Sequence, residues 1–150
     1  MKLSWHSLKV SIAGARLSHL VQKDKIWDHG SMTEQVKNIF YQLEKAKNKN
    51  DLEQVKKYLS AAGFENVRSQ IQSTSSFGSF LKNSVLTEIS IIKVRPGKAL
   101  KADRFNALIK GKRKLQEPAY EQKNYGIENF SEEWCFVRQG DWWMLDGIKR

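Results

Sequence analysis

Few side chains in this 150-residue sequence combine the residue types and spacings that catalysis or metal binding requires. The three histidines, His6, His19 and His29, all precede residue 30, and their spacing fits no metal-binding motif. We therefore predict that they lie on the surface and neither bind a metal nor act as a base in a pocket. The single cysteine, Cys135, excludes an internal disulfide and a metal site built from cysteines.

One further set of residues could do acid–base chemistry, namely Asp103 with Tyr120 or Tyr125. The sequence contains no P-loop, no G-x-S-x-G nucleophile motif and no dinucleotide-binding fingerprint. Arg138 and Asp146 lie on either side of a predicted hairpin, so we interpret them as an ion pair across neighbouring strands. We therefore predict no enzyme, no cofactor and no small-molecule substrate. A small-molecule enzyme with an internal pocket stays as an alternative.

The charge of the sequence points to its partners more clearly than any motif does. There are 26 Lys and Arg against 16 Asp and Glu, which gives a net charge of +10. A surplus of this size favours anionic partners, such as phospholipid head groups, nucleic acid or acidic proteins. No apolar run approaches the roughly 20 residues that cross a bilayer, so we expect a soluble or peripheral protein.

The basic residues fall into two groups. The first is an N-terminal segment without acids up to residue 23, and its candidate membrane or anionic-partner contacts are Lys2, Lys9, Arg16, Lys23 and Lys25. The second is a cluster with few apolar neighbours, formed by Lys110, Lys112, Arg113 and Lys114. We expect the first group to insert as well as attract, because apolar residues lie between its charges. We expect the second to act by charge alone.

The N-terminal segment allows two secondary structures. Val10, Ala13 and Leu17 have helical spacing, which predicts a basic amphipathic helix. Leu8, Val10 and Ile12 alternate with polar residues, which is typical of a strand. The composition, basic and rich in serine, also resembles an organelle-targeting segment. The segment could pack on its own domain or serve as an arm that binds a membrane or a partner.

Residues 31–72 are predicted to be helical. Ser31 with Glu34 forms a capping box at the start, and Val36, Ile39, Phe40 and Leu43 follow as one apolar face. Asp51 with Gln54 predicts a second cap, Gly63 is expected to end that helix, and a short third helix carries Phe64, Val67 and Ile71. The segment STSSFGS is predicted to be a loop.

The second half of the sequence has the pattern of strands. Four of them are predicted in VLTEISIIKV, RFNALIKGK, FSEEWCFVR and DWWMLDGI, with a long loop over residues 115–129. A switch of apolar phase in the first indicates a bulge, and Pro96 and Gly97 end it. Helices followed by a strand meander predict an α+β fold, with helices packed on a curved antiparallel sheet.

Tryptophans are expected to fill the hollow of this sheet. Trp134 and Trp143 are placed in the core, because they share a strand phase with Phe136 and Leu145 and are large enough to fill the hollow. Trp142 directly precedes Trp143, so the two face opposite sides. We therefore predict that Trp142, Trp5 or Trp27 lies at a contact outside the central core.

The segments KIWDHGSMTEQVKNIFYQLEKAKNKNDLEQVKKYLSAAGFENVRSQI and FSEEWCFVRQGDWWMLDGI resemble the Tim-forty-four-like domain family. The resemblance covers residues 25–149. The family's ending, W-x-F-x-R followed by W-x-L-D-x-I, is matched by Trp134, Phe136, Arg138, Trp143, Leu145, Asp146 and Ile148, with Val137 inside the run. The helical part departs at Lys47, where relatives often have tryptophan after the alanine.

The resemblance implies a fold and a role. The fold is the nuclear-transport-factor-two-like cone, with residues 1–25 as a basic extension and 26–150 as the domain. The role is a non-catalytic adaptor in protein import or membrane-protein biogenesis. It would contact anionic lipid and other proteins of a larger assembly, on the mitochondrial matrix side or in the bacterial equivalent. The family also includes a mitochondrial large-subunit ribosomal protein, so RNA binding on a ribosome is the alternative. In that case Lys110 to Lys114 would meet RNA phosphates, and Trp5 or Trp27 would stack on bases.

Overall fold

The computed structural model describes residues 4–49, 51–73, 84–114 and 127–149. The α-helices in these ranges are Trp5–Leu20 (α1), His29–Asn48 (α2) and Ala61–Ser73 (α3). Two 3₁₀ helices span Lys25–Trp27 and Leu52–Tyr58. The strands are Val85–Arg95 (β1), Arg104–Lys114 (β2), Ile127–Gln139 (β3) and Trp142–Lys149 (β4).

Helix α1 settles the ambiguity of the N-terminal segment in favour of a helix. It begins after Ser4, whose hydroxyl accepts a hydrogen bond from Ser7 N at 3.0 Å. Ala13 and Leu17, one turn apart, are buried and belong to the core. The helix packs on β1, so this part of the segment is joined to the domain.

Helix α2 starts earlier than the sequence predicted. Asp28 is its N-cap, and one carboxylate oxygen accepts from Ser31 N at 2.9 Å. The prediction of Ser31 as the cap is therefore wrong, because the aspartate three residues earlier takes the free amide. The predicted apolar face of Val36, Ile39, Phe40 and Leu43 is confirmed as buried.

The next two helical segments differ from the prediction in type and in boundary. Asp51 caps the second segment and accepts from Glu53 N at 3.2 Å, but that segment is 3₁₀ rather than α. Gly63 ends no helix, because it lies in the first turn of α3. A Cβ on Gly63 would lie 2.1 Å from Leu145 O. Glycine is therefore required there for α3 to approach β4 closely.

The sheet is an antiparallel meander in the order β1-β2-β3-β4. The predicted bulge in β1 is confirmed, with register shifts between Leu86 and Glu88 and between Ile91 and Lys93. Since bulges bend strands, they curve the sheet around the helices, which confirms the predicted α+β fold class. Strand β3 begins at Ile127, so the predicted loop is wrong for 127–129, and its other residues, 115–126, lie outside the described part. So does the predicted STSSFGS loop beyond Ser73.

Aromatic side chains fill the space between helices and sheet. Trp143 contacts Phe105 with ring centroids 4.7 Å apart, and Phe105 stacks on Phe136 at 4.8 Å. Trp134 is also buried, which confirms the predicted strand phase. Trp27 lies 5.1 Å from Trp143 and is buried. The prediction that Trp27 could lie at an outer contact is wrong, because its 3₁₀ helix turns the indole inward.

Strand β4 forms one edge of the sheet, and side chains from the helical region cover its free backbone groups. Ser60 N donates to Leu145 O at 3.0 Å, and Leu59 forms a parallel bridge to Leu145. Further contacts at this edge are Trp143 N to Gln35 Oε1 (2.9 Å), Ile148 N to Asn66 Oδ1 (2.9 Å) and Gln70 Nε2 to Ile148 O (2.9 Å). The edge is therefore bonded to α2, α3 and the segment between them.

Candidate functional site

Helix α1 presents an apolar surface on its outer side as well as on its inner side. Trp5, Leu8 and Ile12, here called the α1 stripe, are exposed to 71%, 38% and 54%. Their spacing of three and four residues places them on one side of the helix. The inner side is occupied by Ala13 and Leu17 in the core. The stripe is therefore free to contact something other than this domain.

Two of the predicted N-terminal cations flank the α1 stripe. Lys9 Nζ lies 5.9 Å from the ring centroid of Trp5. Arg16 Nη1 donates to Val94 O at 2.9 Å, which fixes the guanidinium against the end of β1. Lys23 and Lys25 are exposed after the end of α1, and Lys2 lies outside the described residues. The structure thus brings Lys9 and Arg16 to the stripe.

A second basic surface lies where the sheet meets the end of α1. It is an open groove of about 1070 Å³ at the β1–β2 connection. This groove, here called the basic groove, is lined by the cations Arg16, Arg95, Lys98, Lys101 and Arg104. Sequence reasoning found only Arg16 among these. The other four lie within residues 95–104 but are separated from one another by other residues, and the packing of α1 on β1 adds Arg16 to them. Leu100, at the rim of this groove, is fully exposed.

Arg138 anchors the loop that carries Leu100. Its Nη1 donates to Asp24 at 2.6 Å and to Asp103 at 3.0 Å, and its Nε donates to Gly140 O at 2.8 Å. The hydrogen bond from Arg138 holds the pKa of Asp24 below its ordinary value of 3.8. The same bond raises the pKa of Arg138. Three segments distant in sequence therefore meet at one guanidinium.

The predicted ion pair between Arg138 and Asp146 is wrong. Strand register pairs Arg138 with Trp143, so Asp146 lies three residues farther along β4 and not opposite Arg138. Asp146 instead accepts from Arg104 at 2.7 Å and from Ser60 Oγ at 2.6 Å. Burial raises the pKa of Asp146, but these two hydrogen bonds outweigh it, so its pKa is lowered.

The predicted cluster around Lys112 carries less free charge than its sequence indicates. Lys110 pairs with Glu88 at 3.6 Å, and the Arg113 guanidinium lies 4.4 Å from the ring centroid of Phe130. The expectation that this cluster has few apolar neighbours is therefore wrong for Arg113. Lys112 is exposed, and Lys114 ends β2 with its side chain outside the described part.

Sequence reasoning missed a polar cluster beneath α2. Glu44 is buried, and its Oε1 lies 3.8 Å from Lys47 Nζ. Burial raises the pKa of Glu44, against the opposing charges of Lys47 and Arg113. Glu132 is also buried nearby. The signal in the sequence was a carboxylate four residues after Phe40, on the apolar face of α2. Since two acids face two cations, we interpret the cluster as charge-balanced structure.

Trp142 lines a groove of about 420 Å³ between α2, the second 3₁₀ helix and β4. Its indole is 61% exposed, while Trp143 on the other side of the strand is buried. Tyr58 and Ile39 form apolar walls, and Lys57 and Asp141 supply one charge of each sign. The prediction that Trp142 and Trp143 face opposite sides is confirmed.

The residues considered for catalysis or metal binding do not converge. His19 and His29 are exposed and His6 is half-buried. Within the described residues, no three His, Cys, Asp or Glu side chains lie close enough to hold a metal ion. Asp103 is engaged by Arg138, and Tyr120 and Tyr125 lie outside the described part. No helix in the described ranges is long and apolar enough to cross a bilayer.

Comparison with solved structures finds only distant likenesses. An NTF-2-like protein of unknown function from Shewanella oneidensis MR-1 superposes with a TM-score of 0.44 and 12% identity. The match covers 77% of this chain and 95% of that one. No family model matches the sequence, and no curated protein matches it.

Proposed function

We propose that this chain is a non-catalytic binding module that docks on an anionic membrane surface and holds a second protein there. The observation that carries the proposal is the double-sided helix α1. Ala13 and Leu17 fix it to the core, while the α1 stripe stays exposed beside Lys9 and Arg16. A helix that only covered its own domain would need no apolar outer side.

The chemistry of the α1 stripe fits the boundary between lipid head groups and acyl chains. Amphipathic helices lie in this layer with their apolar side chains buried about 5–10 Å deep. Tryptophan is enriched there because its ring is apolar and its N–H is polar. Each cation near an anionic surface adds about 1 kcal/mol of attraction. Since α1 is already folded on β1, docking requires little further ordering.

The interior supports a binding role over a catalytic one. The side of the sheet that faces the helices is filled by Phe105, Trp134, Phe136 and Trp143, all buried. An enzyme of this architecture would keep a pocket there for its substrate. The Trp142 groove opens on the outside of this packing and offers an aromatic wall to a protein partner.

The sequence resemblance to the Tim-forty-four-like family supports the same proposal. Its members act next to membranes in protein import and on mitochondrial ribosomes, so we place the chain at the matrix face of a mitochondrial membrane or the bacterial equivalent. Ribosomal RNA is the competing partner, through Lys112 and its neighbours. Within the domain, Lys110 pairs with Glu88 and the Arg113 guanidinium packs on Phe130, so two of the four cations in that cluster are already engaged.

The test is co-sedimentation with phosphatidylcholine vesicles, with and without phosphatidylglycerol, at two salt concentrations. Truncation of α1 would remove Ala13 and Leu17 from the core, so surface substitutions are used instead. The double variant Trp5→Ser, Ile12→Ser should lose binding to anionic vesicles at both salt concentrations, since part of its attraction is apolar. The matched control is Trp142→Ser, Ile127→Ser, whose residues are exposed to 61% and 63%.

The proposal fails if the parent protein ignores anionic vesicles, or if the two double variants bind alike. Replacing Lys112, Arg113 and Lys114 by Gln should weaken membrane binding mainly at low salt, where screening is least. If the parent instead sediments with ribosomes and these Gln substitutions abolish that, the RNA alternative replaces the membrane one.

A further inference from the structure

The loop between β1 and β2, residues 96–103, has features of a membrane contact of its own. Lys101 N donates to Lys98 O at 3.1 Å, which closes a tight turn with Ala99 and Leu100 at its tip. Leu100 is fully exposed, with no side chain packed over it. Ala99 has a φ of 57°, a conformation that residues other than glycine seldom adopt. A lone leucine is thus held outward between two lysines.

The loop is held rigidly from below. Gly97 N donates to Asp103 Oδ1 at 2.7 Å, and Asp103 O accepts from Arg138 N at 2.9 Å. A Cβ on Gly97 would lie 1.9 Å from Lys101 O, so the two ends of the loop are in close contact. Because folding already fixes the loop, a ligand would meet preformed geometry at little entropic cost.

The charges around the loop are suited to phosphate. Arg95, Lys98 and Lys101 are exposed and form no ion pair with a carboxylate in the described part of the chain. Arg16 and Arg104 also line the basic groove, where Arg104 pairs with Asp146 and Arg16 donates to Val94 O. Arginine and lysine donors at one groove recognise phosphate oxygens, the arginines through paired N–H groups.

We infer that the basic groove binds the phosphates of anionic phospholipids at a bilayer surface while Leu100 inserts between the head groups. This inference rests on the proposed membrane function and adds a second contact to it. A soluble phosphate would gain nothing from an exposed leucine. Single-stranded RNA is held by aromatic stacking, and the described residues that line the groove include no aromatic side chain.

The two contacts are compatible with one flat surface. Trp5, Lys9, Ile12 and Arg16 recur at spacings of four, three and four residues, so they share one side of α1. Arg16 also lines the basic groove. The α1 stripe therefore leads along the helix to the groove and to Leu100.

The experiment measures vesicle binding of loop variants in the full chain. Leu100→Ser should weaken binding to phosphatidylglycerol-containing vesicles about tenfold at any salt concentration, because the lost term is apolar. The double variant Lys98→Gln, Lys101→Gln should weaken it about 30-fold at low salt and less at high salt. Matched controls are Ile127→Ser and the double variant Lys37→Gln, Lys45→Gln, whose side chains are exposed elsewhere.

Insertion is read separately with an environment-sensitive dye. The dye is attached through Leu100→Cys in a Cys135→Ser background, since Cys135 is the only native cysteine. Its emission should shift to the blue on vesicles with phosphatidylglycerol and stay unchanged on pure phosphatidylcholine. The same dye at Ile127→Cys should not shift.

Failure of the inference differs from failure of the proposed function. If the parent binds and Trp5→Ser, Ile12→Ser loses binding, but the loop variants match their controls, the loop inference is overturned and the function stands. If the parent does not bind, both fall. Inorganic phosphate could displace the protein from vesicles more than chloride at the same ionic strength does, while Leu100→Ser binds vesicles like the parent. That result would show that the groove binds a soluble anion and not lipid. Tighter binding of an RNA oligonucleotide that depends on Lys98 and Lys101 would also overturn it.

Discussion

Two core tryptophans differ in a single hydrogen bond, and this difference should be measurable. The Trp143 indole N–H donates to Ile26 O at 3.2 Å, while Trp134 Nε1 is buried with no partner among the described residues. Both side chains are almost fully buried. Replacing either by alanine should cost about 3–5 kcal/mol, the usual effect of emptying a core aromatic site. Replacement by phenylalanine is more informative.

Trp→Phe removes the same atoms at both sites, so the transfer and cavity costs are similar. At Trp143 the change also leaves Ile26 O buried without its donor, which costs about 1–3 kcal/mol. At Trp134 it removes an N–H that was buried without a partner, which returns part of that cost. Trp143→Phe should therefore destabilise the fold by about 1–3 kcal/mol more than Trp134→Phe does.

Urea denaturation followed by circular dichroism gives both free energies of unfolding, and equal slopes would show that the two variants unfold comparably. Equal destabilisation would refute the reasoning, because it would mean that the Trp143 hydrogen bond contributes nothing. A larger loss for Trp134→Phe would mean that its N–H has a partner.

Three further predictions concern single residues of the scaffold. Gly63→Ala should destabilise the fold by about 3 kcal/mol or more, because the new methyl group collides with the backbone at Leu145. The control is Gly147→Ala, which has ordinary space around it. Similar melting temperatures for the two variants would show that α3 can move away from β4. Ala99→Gly should leave stability unchanged or raise it by up to about 1 kcal/mol by relieving the positive φ, and a clear loss would show that the turn is unstrained. Asp24→Asn should lower stability by less than about 1 kcal/mol at neutral pH, because the pair with Arg138 is half-exposed and screened. Since the folded pKa of Asp24 lies below its unfolded value of 3.8, this difference should hold above that pH and vanish as the pH falls below it, and a difference that persists in acid would exclude the ion pair as its source.

Local patterns predicted the elements that bury one face. The apolar residues of α2 repeat with the period of a helix, and Trp134 and Phe136 repeat with the period of a strand. In each case the face that this period defines is the one buried in the core. Helix α1 was ambiguous because its two sides are both apolar, so that helical and alternating patterns overlap in Leu8, Val10 and Ile12. The cap at Asp28 was missed because Ser31 and Glu34 form an equally good local motif.

Contacts between distant segments lie beyond such patterns. Trp27 is buried because it packs against Trp143, which is distant in sequence, and nothing around Trp27 in the sequence indicates that contact. Arg138 pairs with Asp24 and Asp103 and not with Asp146, because the hairpin register sets it opposite Trp143 and because folding brings both of its aspartate partners to it from distant parts of the sequence. The basic groove combines Arg16 with Arg95 and Arg104, which only the packing of α1 on β1 brings together.

The side-chain amides along β4 also determine how this sheet meets other chains. An uncovered outer strand is a template on which a second polypeptide can add, and this is a common route to swapped dimers and fibres. Here Gln35, Asn66 and Gln70 occupy the backbone positions that an incoming strand would need. An added strand would have to displace the contacts of β4 to two helices before it could form its first backbone hydrogen bond. The local concentration of this protein can therefore rise without further strands being added to the sheet at this edge.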